Sequence, residues 1–166
     1  MKFINLSVFI LLLLTACNLS NEGQATGNTT TPKVNQKEVD AKIIADYVKE
    51  NNLEGKYTDS GIFYQIEKQG EGASAKKIVD FAPIKAHYEG RLLSGKVFDS
   101  SKKRGKPLEF KLNQVIPGWN EAIRMLNVGG KGTFIIPSEL AYGRKGFSNL
   151  IPGNAVLIFE IELVEV

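Results

Sequence analysis

Between Lys37 and Lys56, apolar residues recur at Val39, Ile43, Ile44, Tyr47 and Val48. That spacing is a narrow helical stripe and predicts a helix over 37–56, with Gly55 as its stop. The stripe must be covered, either by its own domain or by the same helix of a second copy in a homodimer. From Gly61 onward the period changes to two. The runs "GIFYQIEK", "APIKAHYEGRL", "KVFDSS", "LEFKL", "KGTFIIP" and "AVLIFEIELVEV" read as strands, separated by Gly, Pro, Ser and Asn. In the last run Leu157, Phe159, Ile161 and Leu163 share one face, while Val156, Ile158, Glu160 and Glu162 share the other. One more helical pattern interrupts the strands. Trp119, Ala122, Ile123 and Leu126 fall at i, i+3, i+4 and i+7, and Gly129 and Gly130 follow as its end. A helix this short is marginal alone, so it has to lie against the apolar face of the sheet. The predicted class is therefore α+β: a curved, mostly antiparallel sheet of five or six strands closed on one short helix, with the N-terminal helix appended.

The first 36 residues follow a different pattern. "MKFINLSVFILLLLTAC" has a Lys at position 2, an apolar run from Val8 to Leu14, and small residues before Cys17. This is the layout of a secretory signal, too short to span a bilayer comfortably. Leu14-Thr15-Ala16-Cys17 resembles the bacterial lipobox. That resemblance implies cleavage after Ala16 and a diacylglycerol on Cys17, the lone cysteine of the chain. The signal would occupy 1–16. The following residues, to position 36, are rich in Asn, Thr and Gly and hold too few apolar groups to order themselves. They read as a disordered tether over 17–36, followed by the helix over 37–56 and a folded domain over 57–166. As a flexible coil the tether would span about 25 Å. The implied location is an exported protein, lipid-anchored at a bacterial membrane, which in a Gram-negative cell would be the outer membrane facing the periplasm.

Charge and chemistry narrow the function by what they lack. Lys and Arg number 21 against 18 Asp and Glu, a net charge of +3, which gives no case for nucleic-acid binding. The basic run Lys102 to Lys106 reads as a solvated loop. His87 is the one histidine and alternates within a strand, a surface or rim position. "VGGKGT" follows a helix and precedes a strand, the reverse of a phosphate loop. No metal cluster or nucleophile–base set can be assembled, so no cofactor or metal is expected. What the domain does have is aromatic residues where strand and helix runs begin or end, and one carboxylate, Asp99, among them.

The order of those residues carries a resemblance. "AHYEGRLLSGKVFDSS", "KPLEFKL", "VIPGWNEAI", "IPSELAYG" and "IPGNAVLIFEIELV" resemble the FKBP-type peptidyl-prolyl isomerases from about Gly61 to Val166. The resemblance implies a half-barrel sheet wrapped around one helix, with a proline-sized pocket between them. It implies catalytic positions at Tyr88, Phe98, Asp99, Tyr142 and Phe159. Substrate-binding positions would be Phe110, Val115, Ile116, Trp119, Phe147 and Ile151. The Trp119 ring would form the floor, Gly118 would leave room for the prolyl ring, and the Ile116 N–H would donate to a substrate carbonyl. Arg104 is a candidate partner for Asp99. Leu108 and Phe147 stand where the family often has an aromatic and a histidine, and Pro117 where a charged residue is usual. The implied partners are proline-containing unfolded or partly folded polypeptides, with tacrolimus or rapamycin as ligands. A proline-binding chaperone or interaction module without significant catalysis is the alternative, and a dimeric scaffold built on the N-terminal helix is a third reading. Because the helix from Lys37 to Asn52 precedes every pocket residue, it is expected to be dispensable for catalysis on short peptides, and truncation at Tyr57 is expected to keep the rate within about threefold.

Overall fold

The computed structural model describes residues 34–166. The signal, Cys17 and the tether to position 33 lie outside the described residues. Helix α1 (Gln36–Glu50) is followed by strands β1 (Lys56–Tyr57), β2 (Phe63–Lys68), β3 (Ile84–Leu92), β4 (Val97–Ser100) and β5 (Leu108–Phe110). Helix α2 (Pro117–Arg124) then leads to β6 (Lys131–Ile136) and β7 (Leu157–Glu165). All seven strands join one sheet in the order β1-β2-β6-β7-β3-β4, with β5 also paired to β3. Every pairing is antiparallel. Six strands match the alternating runs; the two-residue β1 is too short to show a period. The architecture is the α+β class that the alternation predicts.

One edge of β3 serves two strands. Its first half pairs with β5 (Ile84 opposite Phe110) and its second half with β4 (Gly90 opposite Asp99). The segment 101–107 therefore leaves the sheet between two strands that share an edge. Asp99 and Leu108 stand at the two lips of that gap.

The main core lies between α2 and the inner face of the sheet. Trp119, Ala122, Ile123 and Leu126 meet Phe134, Ile136, Leu157, Phe159, Ile161 and Leu163 there, all buried. Pro117 opens α2 at its first turn, where a missing N–H does no harm. Gly118 has a role other than the one its neighbour Trp119 suggests. A Cβ there would lie 2.4 Å from Ile136 Cγ2, so the glycine lets α2 approach β6 rather than making room for a ligand.

Alternation along β6 and β7 puts Ile135, Val156 and Ile158 on the opposite face, where they form a second cluster with Phe63 and Ile44. Ile44 belongs to α1 and is wholly buried. Covering one such side chain contributes about 1.5–3 kcal/mol. Docking on its own domain thus accounts for the α1 stripe at Ile43, Ile44, Tyr47 and Val48. The stripe is offset at its start: Val39 is exposed and Asp40 takes the buried place. The helix also ends earlier than Gly55. Asn52 adopts a left-handed φ of 51°, and Leu53 N–H bonds Val48 O at 2.9 Å, a closure that satisfies the last carbonyls. Gly55 serves packing instead, because a Cβ there would overlap the Phe63 ring at 2.4 Å.

Candidate active site

A cavity of about 410 Å³ opens at the gap between β4 and β5. Tyr88 from β3, Phe98 and Asp99 from β4, Trp119 from α2 and Phe159 from β7 line it. Val115 and Ile116, just before α2, line it as well, with Tyr142 and Phe147 from the loop after β6. Phe110 and Ile151 lie one layer behind. Phe110 faces the core and packs edge-on to Trp119, with centroids 5.3 Å apart. Ile151 exchanges two backbone hydrogen bonds with Phe147, at 2.8 and 3.0 Å, and so holds that residue at the rim. Leu108 and Gln114 complete the wall. Gln114 lies in a short 3₁₀ turn whose sequence carries no periodic signal.

Trp119 forms the floor and is 4% exposed. Tyr88, Phe110 and Phe159 all meet its ring edge-on, at centroid distances of 4.9, 5.3 and 5.5 Å. Each such pair contributes about 0.5–1.5 kcal/mol beyond its buried area. The floor is thereby fixed before any ligand arrives. A second aromatic pair, Phe98 and Phe159 at 5.6 Å, lies across β3 over Gly90. A Cβ at Gly90 would come within 2.6 Å of the Phe98 ring. A glycine inside a strand run is the sequence signal for such a close approach, and the register of β3 against β4 shifts between Gly90 and Arg91.

Asp99 is the polar centre of the wall. Its carboxylate accepts from the Tyr88 hydroxyl and from the Arg104 guanidinium, and from Ser100 N–H at 2.8 Å. Arg104 also donates to the Tyr88 oxygen at 3.0 Å and stands over the Tyr88 ring, 5.6 Å from its centroid. The three side chains form a closed hydrogen-bonded triangle. Burial pushes the Asp99 carboxyl up, but the bonds from Tyr88 and Arg104 outweigh it and hold the group below the ordinary carboxylate range. Burial, with the bond to Asp99, pushes the Tyr88 hydroxyl up to about 12. Burial and the charge of Asp99 also raise Tyr142.

With those donors engaged on Asp99, the lining keeps other donors, among them the Ile116 N–H, the Tyr142 hydroxyl and the buried Trp119 Nε1–H, which has no hydrogen-bond partner among the described residues. Neither the Ile116 N–H nor the Tyr142 hydroxyl has an acceptor among the described residues. Ile116 is the residue before Pro117, and its own carbonyl accepts from Trp119 N–H at 3.0 Å. The Tyr142 ring stacks on Phe147 at 5.0 Å with 28° between planes. His87 stands apart from the lining, with Nδ1 3.2 Å from Ser101 Oγ. Among the described residues no cluster of His, Cys, Asp and Glu is arranged to hold a metal ion.

The arrangement is thus a largely apolar, aromatic-floored cavity whose wall carries donors, Ile116 N–H and Tyr142 OH, that have no acceptor among the described residues. Comparison with known proteins gives it a family. The sequence profile of the FKBP-type peptidyl-prolyl cis-trans isomerases matches residues 74–164. An FKBP-type peptidyl-prolyl cis-trans isomerase FkpA of Aeromonas hydrophila is 47% identical over 132 residues, which is 80% of this chain and 47% of that protein. The FKBP-type 22 kDa isomerase of Escherichia coli K12 is 46% identical over 109 residues, 66% of this chain and 52% of that protein. The chain spans about half the length of the curated relatives it matches. Among solved structures, FkpA from Escherichia coli superposes with a TM-score of 0.67 at 37% identity, over 78% of this chain and 58% of that one. AtFKBP13 gives 0.62 at 41% identity, over 69% of this chain and all of that one (100%). By profile, identity and fold, the chain belongs to the FKBP-type peptidyl-prolyl cis-trans isomerase family.

Proposed function

We propose that this protein is a peptidyl-prolyl cis-trans isomerase that assists folding by acting on proline-containing unfolded or partly folded polypeptides at the Trp119 cavity. The observation that carries the reading is the pairing of a buried aromatic floor with donors, Ile116 N–H and Tyr142 OH, that no acceptor among the described residues engages. Rotation about a peptide bond meets a barrier of about 18–20 kcal/mol. For X–Pro it takes tens to hundreds of seconds at 25 °C. Lowering the barrier by ~5 kcal/mol would speed it roughly 5000-fold. No bond breaks, so the site need only favour the twisted amide over the planar one. The planar amide is dipolar through resonance, and twisting removes that dipole; an apolar cavity therefore disfavours the planar form. The prolyl ring would lie on the Trp119 indole, with its carbonyl side held by Ile116 N–H and Tyr142. The Tyr88–Asp99–Arg104 triangle would keep the wall rigid and its charge away from the amide. A protease-coupled assay on an X–Pro peptide tests the proposal. It also separates an isomerase from a proline-binding chaperone, which would bind without accelerating the exchange.

No proton moves in this scheme, and the rate is expected to be flat from about pH 6 to 8. Asp99 is held below the ordinary carboxylate range, Tyr88 is raised to about 12, and Tyr142 is raised as well, so each moves away from neutrality. The Asp99 shift is downward on folding, so its stabilisation is complete above the ordinary carboxylate pKa and is lost as pH falls through the lowered one. The Tyr88 shift is upward, so its part is lost only as pH rises from about 10 toward 12. His87→Gln is expected to leave the rate unchanged. A bell-shaped profile that vanishes in His87→Gln would contradict the scheme.

The proposal extends to location. The lipobox match at 14–17 and the polar residues behind it support an exported protein held at a bacterial membrane by lipid on Cys17. Each buried methylene of such a chain contributes ~0.8 kcal/mol, and more than one chain gives stable anchorage. Cys17→Ser is expected to leave the isomerase active and release it into the soluble fraction of a detergent-free lysate. Its persistence in the membrane pellet would remove the lipid anchor from the account. Tacrolimus or rapamycin would occupy the same cavity, with Leu108 and Phe147 in the wall tuning the affinity. Calorimetric titration checks this, and no heat of binding at saturating ligand would exclude it.

A further inference from the structure

Asp40 is a fully buried carboxylate on α1, and its donors among the described residues are all neutral. Gln36 Nε2 reaches Oδ1 at 2.7 Å. Ser138 supplies the other two bonds, from its backbone N–H at 2.7 Å and its hydroxyl at 2.6 Å, both to Oδ2. Ionisable groups are rarely buried whole unless paired with an opposite charge. The place Asp40 takes lies one turn before Ile44, on the face that docks against the sheet. An apolar side chain there would bury at least as well. What it could not supply is a directional bond to Ser138.

Ser138 begins the 3₁₀ turn Ser138–Leu140, one residue (Pro137) after β6, and is itself buried. That turn leads through Ala141 to Tyr142 in the cavity wall. Its internal bonds are short-range: Leu140 N–H to Pro137 O at 3.0 Å, and Ala141 N–H to Ser138 O at 3.0 Å. Asp40 is therefore the side chain that ties the start of the turn to another element. Leu140 O also abuts Gly118, 3.2 Å from where a Cβ would stand, so the same turn touches the start of α2 beside Trp119.

We propose that Asp40 is a positioning residue for the active site: from α1 it clamps the Ser138–Leu140 turn and thereby sets where the Tyr142 hydroxyl stands over the cavity. This rests on the isomerase reading for its kinetic consequence, not for the clamp itself. It also replaces the expectation that α1 is dispensable for catalysis. Removing α1 takes away the clamp along with Ile44.

The test uses the full chain in eight proteins: wild type, Asp40→Ala, Asp40→Asn and Ser138→Ala, each with and without Tyr142→Phe. Tyr142→Phe alone should lower kcat/KM about two- to twelvefold, the loss of one hydrogen bond. Asp40→Ala should lower it about three- to tenfold when Tyr142 is present and less than about twofold when it is not, the non-additivity of residues acting through one group. Asp40→Asn can still accept from Ser138 through its amide oxygen while Gln36 turns its own oxygen toward the new NH₂. It should stay within about twofold of wild type. Hydrogen exchange at the Leu140 and Ala141 amides should quicken at least about tenfold in Asp40→Ala.

Equal fold-losses with and without the Tyr142 hydroxyl, or unchanged exchange at those two amides, would overturn the proposal. Should Asp40→Ala fail to fold, Ser138→Ala removes a single hydroxyl and decides by the same comparisons. A wild-type protein without isomerase activity would end the catalytic reading. In that case faster exchange in the variants would still support the clamp, and unchanged exchange would end it too.

Discussion

Trp119→Ala is expected to destabilise the protein by about 3–5 kcal/mol, the range for removing a large aromatic from a packed core. Trp119 is 4% exposed and meets Tyr88, Phe110 and Phe159 edge-on, so its loss leaves three rings without their common partner. Small domains are held together by only about 5–15 kcal/mol, so the variant should be marginal at physiological temperature. Its kcat/KM should fall further than stability alone explains, because the surface on which a prolyl ring would rest is gone. Trp119→Phe should recover most of the stability. Urea unfolding followed by circular dichroism is the right measurement, since Trp119 is the sole tryptophan and its removal abolishes the fluorescence signal. A loss below ~1 kcal/mol for the alanine variant would mean that the floor is not part of the core.

Asp99→Leu is expected to damage catalysis more than stability. It leaves the Tyr88 hydroxyl, the Arg104 guanidinium and the Ser100 N–H without their shared acceptor. Hydrogen bonds to charged groups contribute ~1.5–3 kcal/mol each, but exposure reduces this. The Asp99 and Arg104 side chains are each 42% exposed. A loss of at least about tenfold in kcat/KM remains, equivalent to ~1.4 kcal/mol of barrier. Thermal unfolding should shift little beside that. Arg104→Ala should do part of the same damage by opening one side of the triangle. An Asp99→Leu protein with wild-type kcat/KM would remove the triangle from the account of the site.

Most of the fold was legible because alternation and helical spacing are local properties. The runs that became β2 to β7 needed nothing beyond their own residues, and α2 was visible in Trp119, Ala122, Ile123 and Leu126. What escaped the sequence was set by long-range contact. Asp40 reads as a polar residue beside the stripe, and only the approach of Ser138, 98 positions later, makes a buried place for it. Gly118 looks like clearance for a ligand because the nearest notable residue is Trp119. Its actual neighbour is Ile136 on a strand not yet formed when the motif is read. Gly55 has the chemistry of a helix stop, yet Asn52 reaches the left-handed conformation first and the chain turns there.

The site divides in the same way. The aromatic wall came from motif order, and the structure brings Tyr88, Phe98, Asp99, Val115, Ile116, Trp119, Tyr142, Phe147 and Phe159 to one cavity. Phe110 and Ile151 carry the same apolar chemistry but sit behind it, because the inward face of β5 and the Phe147–Ile151 bridge turn them toward packing. Gln114 gave no signal, being a polar residue in a short turn.

The central claim is that the Trp119 cavity accelerates rotation about an X–Pro bond without moving a proton. A protease-coupled isomerisation assay measures that rotation most directly, with purified protein added in increasing amounts to a peptide whose trans form alone is cleaved. The account predicts a slow phase whose rate rises in proportion to added protein, is unchanged between pH ~6 and ~8, and falls at least about tenfold in Asp99→Leu. A slow phase that stays at the uncatalysed rate, with the protein shown by circular dichroism to be folded, would contradict it.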